Sequence, residues 1–197
     1  MPKKEENKIF SKRNIISFFI ILVMVSSILA IWKGSSDTNT TPDYNDHKVK
    51  LENNKYVIDS DFGEVSGYNY PSFLETIPLN IGYVNYILSS NELYILFDPH
   101  DENLPVIEVM RSDLAQQDFY TLGKAVGFAV TAANETYPYP VLACNATALP
   151  TLYLHTHNLS NATIYQDHGC IVLEASSWQD LLELKDRFVY TMYGVMD

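Results

Sequence analysis

The sequence lacks the short motifs by which hydrolases and nucleotide-binding enzymes are usually identified. It contains no Gly-x-Ser-x-Gly, no His-Glu-x-x-His and no glycine-rich loop able to hold a phosphate. Carboxylates are numerous, but their spacing singles out no pair for acid and base catalysis. We therefore predict no catalytic residue and no cofactor.

Cysteine is scarce, with only Cys144 and Cys170 in the chain and no Cys-x-x-Cys spacing. Two cysteines allow one intramolecular disulfide in an oxidising compartment. Such a bond would close a loop of about 25 residues and stabilise the fold by about 3 kcal/mol in the chain-entropy estimate. We predict this disulfide rather than thiol catalysis.

Positive charge is also scarce, since the chain contains 13 Lys and Arg but 24 Asp and Glu. After Lys33 the chain holds 7 basic and 22 acidic residues, a net charge of −15. A surface this acidic repels phosphate backbones and anionic lipid headgroups. We therefore predict no nucleic-acid partner.

One long uncharged run is present, the 19 residues Asn14–Trp32. As a helix it would rise about 28 Å, close to the hydrocarbon thickness of a bilayer. The preceding tail carries five Lys and Arg, which resist translocation. We predict a transmembrane anchor over residues 14–33, a cytoplasmic tail over residues 1–13 and an extracytoplasmic remainder, a single-pass protein of the cell membrane.

The alternative is a cleaved secretory signal, which needs a shorter apolar run and small residues before the cut. Cleavage after Ala30 would place Ile28 three residues before the cut, and cleavage after Gly34 would place Trp32 there. Both fit poorly, so we favour a retained anchor.

The remaining chain divides into a polar tether, residues 34–46, and an exterior domain, residues 47–197. We predict an α+β fold of mostly antiparallel strands with about two long helices, one of them C-terminal. Alternation on both sides of Asn53-Asn54 predicts a β-hairpin, and Ser177 is expected to cap the last helix before Gly194. The other predicted strands are residues 92–98, 106–110, 140–144, 151–155, 162–166 and 170–175, the other long helix is residues 113–133, and residues 79–90 fit either a strand or a helix.

Two groups of side chains are candidate metal ligands. His155 and His157 would share one face of a strand, with His168 nearby in sequence. The competing interpretation is that these histidines end a strand and bind nothing. A polar loop carries oxygen ligands of the kind that calcium takes, namely Asp98, Asp101, Glu102 and Asn103. No glycine provides the sharp turn of a calcium-binding loop, so a solvated turn is the favoured interpretation.

Five Asn-x-Ser/Thr sequons are candidate glycosylation sites. They are Asn39, Asn134, Asn145, Asn158 and Asn161. Their clustering between residues 134 and 163 predicts an exposed, sugar-bearing edge, although loops rich in Asn and Thr produce the same pattern.

The C-terminal part of the sequence resembles uncharacterised archaeal proteins. The resemblance is carried by the segment from Thr163 to Ala175 (TIYQDHGCIVLEA), Asp180-Leu-Leu, Asp186 to Tyr190 (DRFVY) and Tyr193 to Met196 (YGVM). Those proteins carry one N-terminal anchor and an exterior α+β domain. The resemblance covers the chain from about residue 44 and implies a location on a cell exterior, without implying an activity.

Two functional hypotheses follow. In the first, the anchored domain binds another envelope or membrane protein through an aromatic-rich face, since the chain contains 14 Tyr and 9 Phe. In the second, it is a metal-binding protein or an enzyme with a site near His155, His157 and His168. The second hypothesis requires the three histidines to converge.

Overall fold

The structure is a computed structural model and describes residues 41–157 and 161–197. The predicted cytoplasmic tail (1–13), the predicted anchor (14–33) and most of the predicted tether (34–46) lie outside the described residues. Within the described ranges, no helix is both long enough and apolar enough to cross a membrane.

The described chain alternates strands with a few helices, in agreement with the predicted α+β class. The strands are β1 (Val49–Glu52), β2 (Lys55–Ser60), β3 (Gly63–Gly67), β4 (Glu92–Phe97), β5 (Ala125–Val130), β6 (Thr151–Thr156), β7 (Thr163–Asp167) and β8 (Cys170–Ala175). The helices are α1 (Ile81–Leu88), α2 (Leu104–Asp113) and α3 (Trp178–Met192), and a 3₁₀ turn spans Pro71–Leu74. Helix α2 continues through a π-helical turn, Leu114–Asp118, into a last helical turn, Phe119–Thr121.

The last residues of the predicted tether pack against the domain. The backbones of Tyr44 and His47 exchange two hydrogen bonds of 3.0 and 2.8 Å. The Tyr70 hydroxyl donates to the carbonyl oxygen of Pro42 at 2.9 Å. The domain therefore begins several residues before the predicted boundary at residue 47.

Strands β1, β2 and β3 form a three-stranded antiparallel sheet. The predicted hairpin is confirmed, because Glu52 pairs with Lys55 around a two-residue turn. Both turn residues, Asn53 and Asn54, have positive φ angles of 50° and 63°. Asparagine tolerates this conformation better than most residues, and the turn matches the twist of the two strands.

The larger sheet has five strands in the order β5-β4-β6-β8-β7. Strands β5, β4, β6 and β8 are parallel, and only β7 runs antiparallel, beside β8. The prediction of mostly antiparallel strands therefore holds for the small sheet and for the β7–β8 hairpin. It does not hold for the centre of the large sheet, where helix α2 connects β4 to its parallel neighbour β5.

Three predicted elements differ in the structure. The predicted strand 106–110 is part of α2, because Pro105 stands in the first helical turn and the short apolar run fits either structure. The predicted helix 113–133 ends at Thr121, and its second half is β5. Residues 140–144 form only one bridge, between Val141 and Val130.

Helix α3 and the main core agree with the sequence prediction. The Ser177 side chain accepts a hydrogen bond from the Asp180 backbone N–H at 3.2 Å, so the predicted N-cap is confirmed. Gly194 follows the helix with φ +71°. The three helices cover one face of the large sheet, and the apolar side chains from both layers form one buried cluster that includes Ile95, Leu152 and Phe188.

The core also encloses charged side chains. Lys185 and Asp186 of α3 are 1% and 0% exposed and form an ion pair of 3.0 Å. The second Asp186 oxygen accepts the backbone N–H groups of Tyr68 and Asn69 at 2.7 and 2.8 Å. These bonds connect α3 to the chain that follows the small sheet, and they satisfy a carboxylate that would otherwise be costly to bury.

Candidate functional site

The three histidines do not form one site. The rings of His155 and His157 stack with centroids 5.9 Å apart. His155 pairs in register with Glu174, whereas His168 lies in the turn before Cys170, four residues earlier on β8. Four residues of strand span about 13 Å. Within residues 41–157 and 161–197, no group of three or more His, Cys, Asp and Glu is arranged to hold a metal ion.

The polar loop after β4 contacts the histidine strand. The Asp101 carboxylate is fully buried and accepts hydrogen bonds from the backbone N–H groups of Asn103 and Thr156, each at 2.8 Å, and from the Thr156 hydroxyl. His155 Nδ1 lies 3.7 Å from Asp101. From the sequence, this loop and the histidines are predicted as two separate groups of candidate metal ligands. In the structure they meet at the carboxyl edge of the parallel strands. The carboxylate is occupied in attaching the loop to β6.

The two faces of the large sheet differ in what covers them. The first face lies against the helices. The opposite face, which we call the open face, has no helix over it among the described residues. We define the open face by five partly exposed side chains of β4, β6, β7 and β8: Tyr94, Tyr153, His155, Tyr165 and Glu174.

The strand register places these side chains beside one another. Tyr153 and Tyr165 both pair in register with Val172, from opposite sides of β8. His155 pairs with Glu174, and its ring stacks on that of Tyr153 with centroids 5.3 Å apart. The open face therefore carries a band of aromatic rings with a carboxylate beside the imidazole.

An irregular segment, residues 131–150, covers part of the open face. Leu142 and Cys144 of this segment pack against a small buried cluster that includes Leu96 and Val172. The predicted disulfide is present and joins Cys144 to Cys170 at the start of β8. Between the segment and the strands lies an open cavity of about 320 Å³, lined in part by Tyr153 and Asn145.

This arrangement is uncommon for parallel strands, which are usually buried on both faces by helices. Tyrosine rings and the segment 131–150 cover part of the open face in place of helices, and they leave polar edges accessible. At Gly127 the Tyr94 ring lies so close that an added Cβ would stand 2.6 Å from its Cε1 atom. The glycine thus allows this ring to lie flat across β5.

The electrostatic environment of the open face is negative. Burial raises the pKa of Tyr153, and the carboxylates of Asp98, Asp101 and Glu174 raise it further. The pKa of Tyr165 is raised by burial and by Glu174. No lysine or arginine occurs between Lys124 and Lys185, a stretch that contains four of the five strands of the sheet. This gap in positive charge is the sequence signal that could have identified the face.

The sequons differ in accessibility. Asn145 and Asn161 are exposed, and Asn145 lines the cavity of the open face. Asn134 is partly buried, and its side-chain oxygen accepts the Thr136 backbone N–H at 2.8 Å. Asn39 and Asn158 lie outside the described residues.

A second cluster of titratable groups lies in the core, away from any surface. Asp118, at the end of the π-helical turn, is 3% exposed, and its Oδ2 atom has no hydrogen-bond partner among the described residues. Burial raises the pKa of Asp118 to about 7; Lys185 lowers it, and Asp186 raises it. This cluster could not be predicted, because the π-helical turn that positions Asp118 has no sequence signature.

Comparison with known proteins adds no assignment. No protein-family model matches the chain. Neither a curated protein nor a solved structure matches it.

Proposed function

We propose that this protein is a single-pass membrane protein whose anchor, residues 14–33, holds an extracytoplasmic binding domain. The uncharged run Asn14–Trp32 and the basic tail before it support this orientation. The domain's partner is another envelope or membrane protein. The resemblance to archaeal anchored proteins is consistent with this proposal.

The disulfide between Cys144 and Cys170 is the observation that carries the proposed location. Disulfides persist in oxidising compartments and are rare in the cytosol, where thiols are kept reduced. Both cysteines belong to the domain that follows the anchor. The domain is therefore proposed to fold outside the cytoplasm.

Binding is favoured over catalysis because of the character of the open face. It presents aromatic rings and the Glu174 carboxylate on one surface formed by several strands. Protein interfaces are enriched in aromatic residues of this kind. The alternative, a metal-binding protein or enzyme, rested on three converging histidines, and His168 lies apart from the stacked pair His155 and His157.

The exposed sequons, Asn145 and Asn161, fit the same location. In a host that glycosylates exported proteins, they are the two described positions most accessible to sugar attachment. Mass spectrometry of peptides from the native membrane should show added hexose at these residues. Unmodified peptides at both positions would contradict the glycoprotein proposal.

Protease accessibility tests the orientation. In intact cells without a wall, external protease should remove an epitope tag placed after Asp197 and should leave a tag before Met1 intact. Alkylation under non-reducing conditions should find no free thiol. Protection of the C-terminal tag until lysis, together with two alkylated cysteines, would overturn the proposed location.

A further inference from the structure

The positively charged side chains of the domain are absent from the open face. Six of the seven described Lys and Arg are engaged elsewhere in the fold. Their partners are Asp113 for Lys55, Glu108 for Arg111, the carbonyl oxygens of Leu88 and Ser90 for Lys124, Asp186 for Lys185, and the carbonyl oxygens of Ile77 and Asp197 for Arg187. The sixth, Lys50 on β1, pairs with Asp59 at 3.8 Å, and the seventh, Lys48, precedes β1 in the small sheet.

The carboxylate of the open face, Glu174, and that of Asp98 beside it have, in contrast, no cationic partner from Lys or Arg within the described ranges. Glu174 on β8 and Asp98 after β4 take part in no ion pair there. Both lie close enough to Tyr153 to raise its pKa. The negative charge of this surface is therefore not balanced by the domain itself.

From this charge distribution we propose that the open face binds lysine or arginine side chains of a protein partner. The inference rests on the proposed function, in that it takes the open face to be the binding surface. Carboxylates form charge-assisted hydrogen bonds with ammonium and guanidinium groups, and tyrosine rings attract cations to their faces. Tyr153, Tyr165 and Glu174 supply both kinds of group on one surface.

The chain already holds one of its own arginines in this way. The Arg111 guanidinium pairs with Glu108 and lies 4.6 Å from the centroid of the Phe128 ring. Three more rings lie within 5.9 Å of it, those of Phe97, Tyr137 and Tyr139. A carboxylate combined with several rings thus binds a guanidinium elsewhere in this fold, although that site is filled.

Two labelled peptides of equal length, decalysine and decaglutamate, test the proposal. The full chain is placed in nanodiscs of zwitterionic lipid, and peptide binding is followed by fluorescence anisotropy at low and at physiological salt. With the five Lys and Arg of residues 1–13 replaced by glutamine, decalysine should bind and decaglutamate should not. The affinity for decalysine should fall as salt rises, because exposed charges are screened.

Matched variants separate the open face from the general acidity of the domain. Glu174→Gln should weaken decalysine binding about two- to fivefold, the range for one partly exposed charge pair. Glu64→Gln removes an equal charge from the exposed side of β3 and should change binding by less than about 1.5-fold. Tyr165→Leu should also weaken binding, whereas Tyr120→Leu, at a residue 76% exposed beyond α2, should not.

Each other outcome overturns the cation proposal. Binding of decaglutamate, binding of neither peptide, or equal losses for Glu174→Gln and Glu64→Gln would each exclude recognition of cations by the open face. The proposed membrane orientation would survive these results, since protease accessibility tests it separately.

Discussion

Replacing Asp118 with asparagine should make the stability of the domain less dependent on pH. The Asp118 side chain is 3% exposed, and one of its oxygens has no partner within the described residues. Burial raises the pKa of this carboxyl from 3.8 to about 7 in the folded protein, since Lys185 offsets the cost only in part. The folded state therefore binds the proton more tightly than the unfolded state does.

The sign of the pH dependence follows from this difference. The stabilising contribution of the protonated carboxyl is fully present below about pH 4 and is lost as the pH rises through about 7. The difference between the ordinary pKa of 3.8 and the folded-state pKa of about 7 corresponds to about 4 kcal/mol in the free energy of unfolding. Asparagine resembles the protonated form, so the variant should lose about 4 kcal/mol less than the wild type between pH 4 and pH 8.

The net gain at pH 8 should be smaller, about 1–3 kcal/mol, because the amide leaves a polar atom unpaired. Urea unfolding of the full chain in mild detergent measures this. With Trp32 replaced by phenylalanine, Trp178 at the start of α3 is the only tryptophan that reports unfolding. Midpoints at pH 4, 6 and 8 give the dependence for each variant.

Asp113→Asn is the matched control, because it makes the same chemical change at an ion-paired carboxylate, the last residue of α2 and five residues before Asp118. Asp113 lies 2.7 Å from the Lys55 ammonium, so its neutralisation should destabilise the protein at pH 8 by about 1 kcal/mol. The reasoning is refuted if Asp118→Asn shows the wild-type pH dependence, or if it destabilises the protein at pH 8 as the control does.

Three further predictions concern stability, and urea unfolding checks each of them. Removing the disulfide by replacing both cysteines with alanine should cost about 3 kcal/mol, and an unchanged midpoint under oxidising conditions would contradict this. Lys185→Met should cost about 3–5 kcal/mol, because it leaves the buried Asp186 without its cation; a neutral result would show that the backbone N–H groups suffice. Asn54→Gly should stabilise the β1–β2 hairpin by about 0.5 kcal/mol, since glycine adopts the observed φ of 63° without steric cost, and a loss of stability would contradict the assignment of the turn.

The elements that could be predicted from the sequence are those with local signals. The Asn53-Asn54 turn carries its own conformational preference, and Ser177 caps α3 through a bond to a residue three positions later. The run from Val106 to Met110 fits a strand or a helix equally by its period, and the proline that precedes it decides for the helix. Tertiary context settled residues 125–130, where β4 provides the pairing partner.

The candidate site depends on contacts between distant parts of the chain. Asp101 and Thr156 are 55 residues apart and meet only because β4 and β6 are neighbours in the sheet. Tyr153 on β6 and Tyr165 on β7 are seen to share a face only once the register of both strands with β8 is known. The absence of Lys and Arg between Lys124 and Lys185 could be seen in the sequence, but it gains meaning only when those residues form one surface.

The disulfide connects the proposed location of the domain with the geometry of its open face. Cys144 belongs to the irregular segment that covers this face, and Cys170 begins the strand that carries Glu174. Beside the disulfide, the Gly169 backbone N–H donates to the Cys144 carbonyl oxygen at 2.9 Å. A bridge to β5 and apolar contacts hold other parts of the segment. An ordered loop without regular structure depends on such cross-links for its position. In a reducing compartment the segment would have fewer constraints, so the proposed binding surface would be complete only after export.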